Sequence, residues 1–257
     1  TRRSSDLAML LGSFLVFDLG RVNLPFIIHW NYIEKYASNP VVDLLRDKPY
    51  EHRVAKLLSP PLSTPSQFQL FDQLYGIEWT QHLFPYYDIQ SLDIIQMPRT
   101  PEDLQAYMNA LRIGIKQDAE GQYMLDETTF PKLARFWELS NTRYLLGPAG
   151  FLNVFNTQFD PGQQRFRIVQ RFDVAPKPGI AHVTQLEQLT AVTNNDGELA
   201  LFEFTGALPR AKLYSNWQVN TNDQAVSKTL ADLNFDPAKT VLVDTPQHDL
   251  PVTATNE

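Results

Sequence analysis

The last third of the chain alternates strand-forming runs with turn residues so regularly that it excludes an all-helical fold. Leu189-Thr190-Ala191-Val192-Thr193 and Glu198-Leu199-Ala200-Leu201-Phe202-Glu203-Phe204 are β-rich and are joined through Asn194-Asn195-Asp196-Gly197. An Asp-Gly pair between such runs predicts a tight antiparallel hairpin, because both residues tolerate positive φ. Gly206 and Pro209 then interrupt the strand, and 211–219 alternates in the manner of a half-buried strand. Residues 223–233 carry Ala225, Val226, Leu230 and Leu233 at helical spacing, with Asn222 or Thr221 as N-cap. Thr240-Val241-Leu242-Val243 closes as a strand after Phe235-Asp236-Pro237. The expected order is hairpin, strand, helix, strand.

Upstream the period changes. Thr100 as N-cap, Pro101 at the first position and two acids after it start a helix expected to reach about Ile113, before Gly114. A second helix over 128–139 gathers Phe130, Leu133, Ala134, Phe136 and Trp137 on one side and exits into a strand at 141–146. Residues 166–174 read as a further strand, with Arg167 and Arg171 on the face of Val169. Residues 41–58 suggest two short amphipathic pieces broken at Lys48-Pro49, and Ser59-Pro60-Pro61-Leu62-Ser63-Thr64-Pro65 is a loop by composition. The fold class expected is α+β: an antiparallel-rich mixed sheet with helices packed on one face. Helices fall mainly in the N-terminal half and strands mainly in the C-terminal half. Ala175-Pro176-Lys177-Pro178-Gly179 is the best internal boundary, dividing a helix-rich 29–175 from a strand-rich 176–257 within one compact unit.

At the start, Leu7 to Phe17 is eleven residues without a charge, behind Arg2 and Arg3. A spanning helix needs about 20. Alone, the stretch reads as a buried helix or the apolar core of a signal peptide, with no initiator Met and no small-residue cleavage site beside it. Since Thr1 is no ordinary start, the chain is expected to continue a longer protein.

A net charge of −7 with no basic run argues against nucleic acid as a partner, because phosphate binding rests on clustered Lys and Arg. With no cysteine there is neither a disulfide framework nor a thiolate nucleophile. The histidines, His29, His52, His82, His182 and His248, stand apart from one another at no metal-ligand spacing. Asp244 and Asp249 flank His248, but a polar tail is the blander account, and Asp43 and Asp47 are like charges on one helical face. Phosphate-binding glycine loops, nucleophile elbows and dinucleotide fingerprints are missing, so no cofactor and no metal is expected.

Two sets of residues remain as candidates. The most aromatic window holds Phe68, Phe71, Leu74, Tyr75, Trp79, Phe84, Tyr86 and Tyr87. Its rings either fill a core at near-helical spacing or offer a sugar-stacking platform, with Asp88, Gln90 and Asp93 hydrogen-bonding to hydroxyls. Arg143 and Arg210 lie at strand ends, where an arginine grips a carboxylate or phosphate with two parallel bonds, or locks the strands through an internal ion pair with Glu203 or Glu138.

The order Glu203-Phe204, then Ala207-Leu208-Pro209-Arg210-Ala211, a strand, a short helix and Phe235-Asp236-Pro237 before Thr240-Val241-Leu242-Val243 resembles the C-terminal part of the YfhO-like bacterial membrane proteins. Leu139-Ser140-Asn141-Thr142-Arg143-Tyr144 and Phe17-Asp18-Leu19-Gly20-Arg21-Val22-Asn23-Leu24-Pro25-Phe26 extend the likeness over nearly the whole chain. The resemblance implies that 1–28 is the end of a last membrane helix, with Arg2 and Arg3 on the cytoplasmic side. It also implies an extracytoplasmic domain of a large integral-membrane glycosyltransferase at the bacterial inner membrane. Catalytic residues then belong to a part of such a protein outside this sequence, and the partners are its own membrane domain and an acceptor glycan or lipid-linked sugar. Two other readings stay open: an autonomous envelope domain that binds carbohydrate, and a glycoside hydrolase with scattered carboxylates.

Overall fold

The computed structural model describes residues 2–27, 31–57, 66–93, 101–111, 114–117 and 123–244. The chain divides into two compact units, Thr1–Ala37 and Ser38–Glu257. Thr100, Ile113, His29, His248, Asp249 and the loop 59–65 lie outside the described residues.

The first unit holds α1 (Arg2–Asn23) and α2 (Tyr32–Lys35). Helix continues well past the uncharged stretch, because Arg21 suits a helix as well as leucine does and a single Asp18 costs less than about 1 kcal/mol in a helix of this length. Leu24-Pro25-Phe26 ends it in one 3-10 turn. Ser5–Phe26, 22 residues of mean hydropathy 1.5 with none buried, is long and apolar enough to cross a membrane.

The second unit runs α3 (Pro40–Leu45), β1 (Arg53–Lys56), α4 (Ser66–Leu74), a π-helical segment π1 (Tyr75–Leu83), α5 (Phe84–Tyr86), β2 (Gln90–Ser91), α6 (Glu102–Leu111), β3 (Gly114–Gln117), β4 (Tyr123–Asp126) and α7 (Phe130–Leu139). It continues through β5 (Thr142–Pro148), α8 (Leu152–Val154), a second segment π2 (Phe155–Phe159), β6 (Phe166–Pro176), β7 (Leu189–Thr193), β8 (Leu199–Phe204), β9 (Asn216–Val219), α9 (Asp223–Ala231) and β10 (Thr240–Val243). Six strands form a mixed sheet in the order β2-β1-β5-β8-β6-β7. Its first two pairings are parallel and the other three antiparallel. This is the α+β class expected, with helices mostly early and strands mostly late.

The hairpin expected at 194–197 does not form. β7 and β8 both pair with β6 and lie on opposite sides of it, Thr193 and Leu199 each facing Phe172. The connection therefore crosses over β6. A Cβ on Gly197 would sit 2.6 Å from the Phe172 carbonyl oxygen, so the crossing needs a residue without a side chain. Neither Asp196 nor Gly197 takes a positive φ. The Asp173 carboxylate ties both ends of the crossing, accepting from Asn194 Nδ2 and from the Glu198 N–H at 3.0 Å.

A β-bulge between Ile168 and Gln170 then decides which helices the sheet packs against. Before it Arg167 faces Glu203, and after it Arg171 faces Ala200, so the two arginines lie on opposite faces and the simple alternation fails. By the same shift Phe166 and Phe172 are separated. Phe166 joins Phe202 and Phe204 against Phe155 and Trp137, while Phe172 meets Phe71 and Trp79 at 5.5 and 6.4 Å. Both faces are thus covered by helix, where cover on one was expected, and all six residues of β8 are buried.

Each helical layer is built on a π segment. Phe71, Tyr75, Trp79 and Phe84 follow one another at intervals of 4, 4 and 5 residues, and Phe151, Phe155 and Phe159 at 4 and 4. These steps exceed the 3.6-residue α turn, so an α-helix would rotate successive rings off the sheet. The wider i→i+5 winding keeps them over it.

The chain closes in β9-α9-β10, a small parallel unit with Trp217 opposite Val241. Asn222 caps α9 by accepting from the Ala225 N–H at 3.0 Å. Strand, helix and strand match the sequence, although β9 begins only at Asn216 and is exposed throughout.

Candidate functional site

Where β1 and β2 begin, side by side, the chain enters each strand through a left-handed residue: Tyr50 at φ 68° and Asp88 at φ 56°. Asp88 follows the end of α5, where an αL residue commonly stops a helix and aspartate tolerates the conformation. For a bulky tyrosine it is strained, and such strain collects at functional positions. The two side chains meet, Tyr50 Oη donating to Asp88 Oδ1 at 2.7 Å, and that bond is the main cause holding the phenol above its ordinary pKa. Arg210 donates from Nη1 to the Tyr50 carbonyl at 2.8 Å and to Gln90 Oε1 at 2.6 Å. Arg53, anchored through Nη1 to the Ser140 carbonyl at 2.6 Å, helps line the resulting cleft of about 440 Å³ with Tyr50, Asp88, Gln90 and Ser91.

The structure thus gathers Asp88, Gln90 and Arg210 and adds Tyr50, which no sequence signal singled out. Tyr86 and Tyr87 lie just before Asp88 in edge-to-face contact at 5.0 Å, Tyr86 being 52% exposed and Tyr87 lying beneath the Arg46 guanidinium at 5.0 Å. Trp79 is 1% exposed and belongs to the core, so it offers no face to a ligand. Asp93 stands past the far end of β2. There it accepts from Tyr75 Oη at 2.6 Å and from the Lys56 N–H at 2.8 Å, and burial pushes its carboxyl up.

Arg143 sits in a separate cluster. Glu203, on the central strand, accepts from Arg143 Nε at 2.7 Å and Arg167 Nε at 2.6 Å, one arginine from each neighbouring strand. Burial pushes its carboxyl up, but the two guanidinium groups outweigh it and hold the group below the usual range. His52 Nε2 lies 3.2 Å from Arg143 Nη1; burial first and Arg143 second depress its pKa, so the neutral ring accepts that bond. Arg143 therefore makes the internal pair with Glu203, whereas Arg210 pairs with neither Glu203 nor Glu138.

Glu138 belongs to a third network that linear reading did not reveal. Arg165 forks onto Asp160 at 2.9 and 2.8 Å and reaches Glu138 at 3.4 Å, and Arg135 lies 3.2 Å from Glu138 while donating to the Leu233 and Phe235 carbonyls. Arg135 and Glu138 are three residues apart and Asp160 and Arg165 five, and only tertiary packing joins the two pairs.

A groove of about 520 Å³ adjoins Arg210 and is lined by Leu208, Pro209, Tyr214, Val226, Leu230 and Phe235 among others. Among the described residues no group of three or more His, Asp or Glu is placed to hold a metal ion. No known protein family, no curated protein and no solved structure matches the chain.

Proposed function

We propose that this chain is the extracytoplasmic C-terminal part of a YfhO-like membrane glycosyltransferase at the bacterial inner membrane, and that it helps to position an acceptor glycan or partner without supplying catalytic residues. The exposed apolar helix α1 supports the membrane setting, since its length suits a bilayer and nothing in its own unit covers it. The observation that carries the binding role is the strained Tyr50–Asp88 pair. It places a phenol, a carboxylate and the Gln90 amide around one cleft, and Tyr86, two residues before Asp88, is exposed. Hydroxyl-rich ligands are bound by such alternating donors and acceptors beside an aromatic face.

The test is glycan-array binding of the full chain in detergent micelles. The parent protein is expected to retain a defined set of oligosaccharides, and Tyr50→Phe or Asp88→Asn to weaken that retention about tenfold, the loss of one or two hydrogen bonds. Retention of no glycan, or equal retention by folded variants, overturns the reading.

A further inference from the structure

The segment 208–214 runs between the main sheet and the β9-α9-β10 unit and is tied to both. Leu208 accepts from Asn141 Nδ2 at 2.7 Å on one side, and Tyr214 Oη donates to the Pro237 carbonyl at 2.8 Å on the other. Beneath it lies the 520 Å³ groove, within the range of ligand pockets, whose floor is the apolar side of α9 and β10. Two cations stand on its rim, Arg210 and Lys212.

Those cations differ from the arginines held in the ion-pair clusters of the sheet and resemble Arg53, which among the described residues bonds only the Ser140 carbonyl. Arg143, Arg165 and Arg167 are each clasped by a carboxylate. Arg210 and Lys212 bond only to neutral oxygens, Arg210 to Tyr50 O and Gln90 Oε1, Lys212 to the Ala238 carbonyl, and neither forms an ion pair among the described residues. In a chain of net charge −7, a groove with an apolar floor and an uncompensated cationic rim is complementary to one kind of ligand. Arg210 uses only Nη1 for its protein bonds, which fix the guanidinium plane. Its Nε–Nη2 edge keeps the two parallel donors that fit a carboxylate.

We infer that this groove binds a long-chain fatty acid, the hydrocarbon tail lying along Val226, Leu230 and Phe235 and the carboxylate held by Arg210 and Lys212. A single chain suits the volume better than the paired tails of a diacyl lipid. The groove shares no lining residue with the polar cleft, although Arg210 also bonds the Tyr50 carbonyl and Gln90 there.

The experiment is photo-crosslinking of the full chain in detergent with a palmitate analogue bearing a diazirine near the chain end, the labelled peptides being located by mass spectrometry. Labelling is expected on the peptides spanning 226–242, and to fall about tenfold with the corresponding alcohol, which cannot form charge-assisted bonds. The double variant Arg210→Gln, Lys212→Gln, both exposed positions, is expected to bring the acid down to the level of the alcohol. Val226→Trp is expected to abolish groove labelling while leaving that of α1 unchanged, its fold being checked by circular dichroism. Equal labelling by acid and alcohol, or label confined to α1, overturns the inference.

Discussion

The two faces of the sheet are built alike in apolar terms and differently in polar ones. On one, Trp137, Phe155, Phe159 and Phe166 pack around π2; on the other, Phe71, Tyr75, Trp79 and Phe172 pack around π1. At the edge of the first, two arginines meet two carboxylates, so Glu138, Asp160, Arg135 and Arg165 are balanced in charge. At the edge of the second, Asp93 is served by a phenol and a backbone N–H, and Lys56 is paired instead with the more exposed Asp72. Apolar packing can therefore be matched across a sheet by repeating one spacing device, while buried charge is handled case by case: on the second face Asp93 is met by neutral donors, yet Glu203, on that same face of β8, is met by two arginines.

Chemical denaturation gives the sharpest probe of the likeness. Trp79→Ala and Trp137→Ala are each expected to cost about 3–5 kcal/mol, the range for truncating a buried large ring. A difference of more than half between them would break the symmetry claimed for the faces. Arg165→Leu comes next at about 2–4 kcal/mol, since it leaves Asp160 and Glu138 buried with less compensation and partial exposure trims the usual loss. Lys56→Met is expected to cost about 0–1 kcal/mol, because Asp72 can be rehydrated.

The pH dependence of melting separates the two ways of burying a carboxylate. Asp93 has a folded pKa raised by burial, so the folded state holds its proton more tightly, and this group lowers stability as pH rises from the ordinary carboxylate value of about 3.9 through the raised one. Asp93→Asn keeps the acceptor oxygen and should remove that decline. Glu203 has the opposite sign: its folded pKa is depressed, so its contribution is present above the unfolded value and is lost as pH falls through the folded one. Glu203→Gln should make melting less sensitive to acid below pH of about 4.5. Asn222→Ala is expected to cost about 1 kcal/mol, the loss of one helix cap, in the β9-α9-β10 unit.

Much of this architecture was readable from residue order. The strand, cap, helix and closing strand after residue 210 follow local rules, and local rules sufficed there. Gly197 shows where they stop. Asp-Gly signals a place that needs glycine, but the need here is a backbone passing within contact distance, not a positive φ, and no local pattern distinguishes the two. The bulge at 169 is similar, since one extra residue exchanges the faces of half a strand without altering its composition. At the cleft, Asp88, Gln90 and Arg210 could be selected for their chemistry, whereas Tyr50 became visible only through its backbone angle. Trp79 fitted a core better than a sugar-stacking surface by its spacing, and the π-helical winding turns it inward.

The central strand β8 is flanked by β5 and β6, yet it is the last of the six sheet strands in the chain. During synthesis, β1, β2 and β5 emerge and cannot be joined to β6 and β7 until residue 204 has followed them. For about 150 residues of chain growth the aromatic helices have only half a sheet to rest on, and pairing across so long a separation is slow. A truncation just before β8 should therefore yield two sticky halves rather than a smaller domain, seen as aggregation where the full chain stays dispersed.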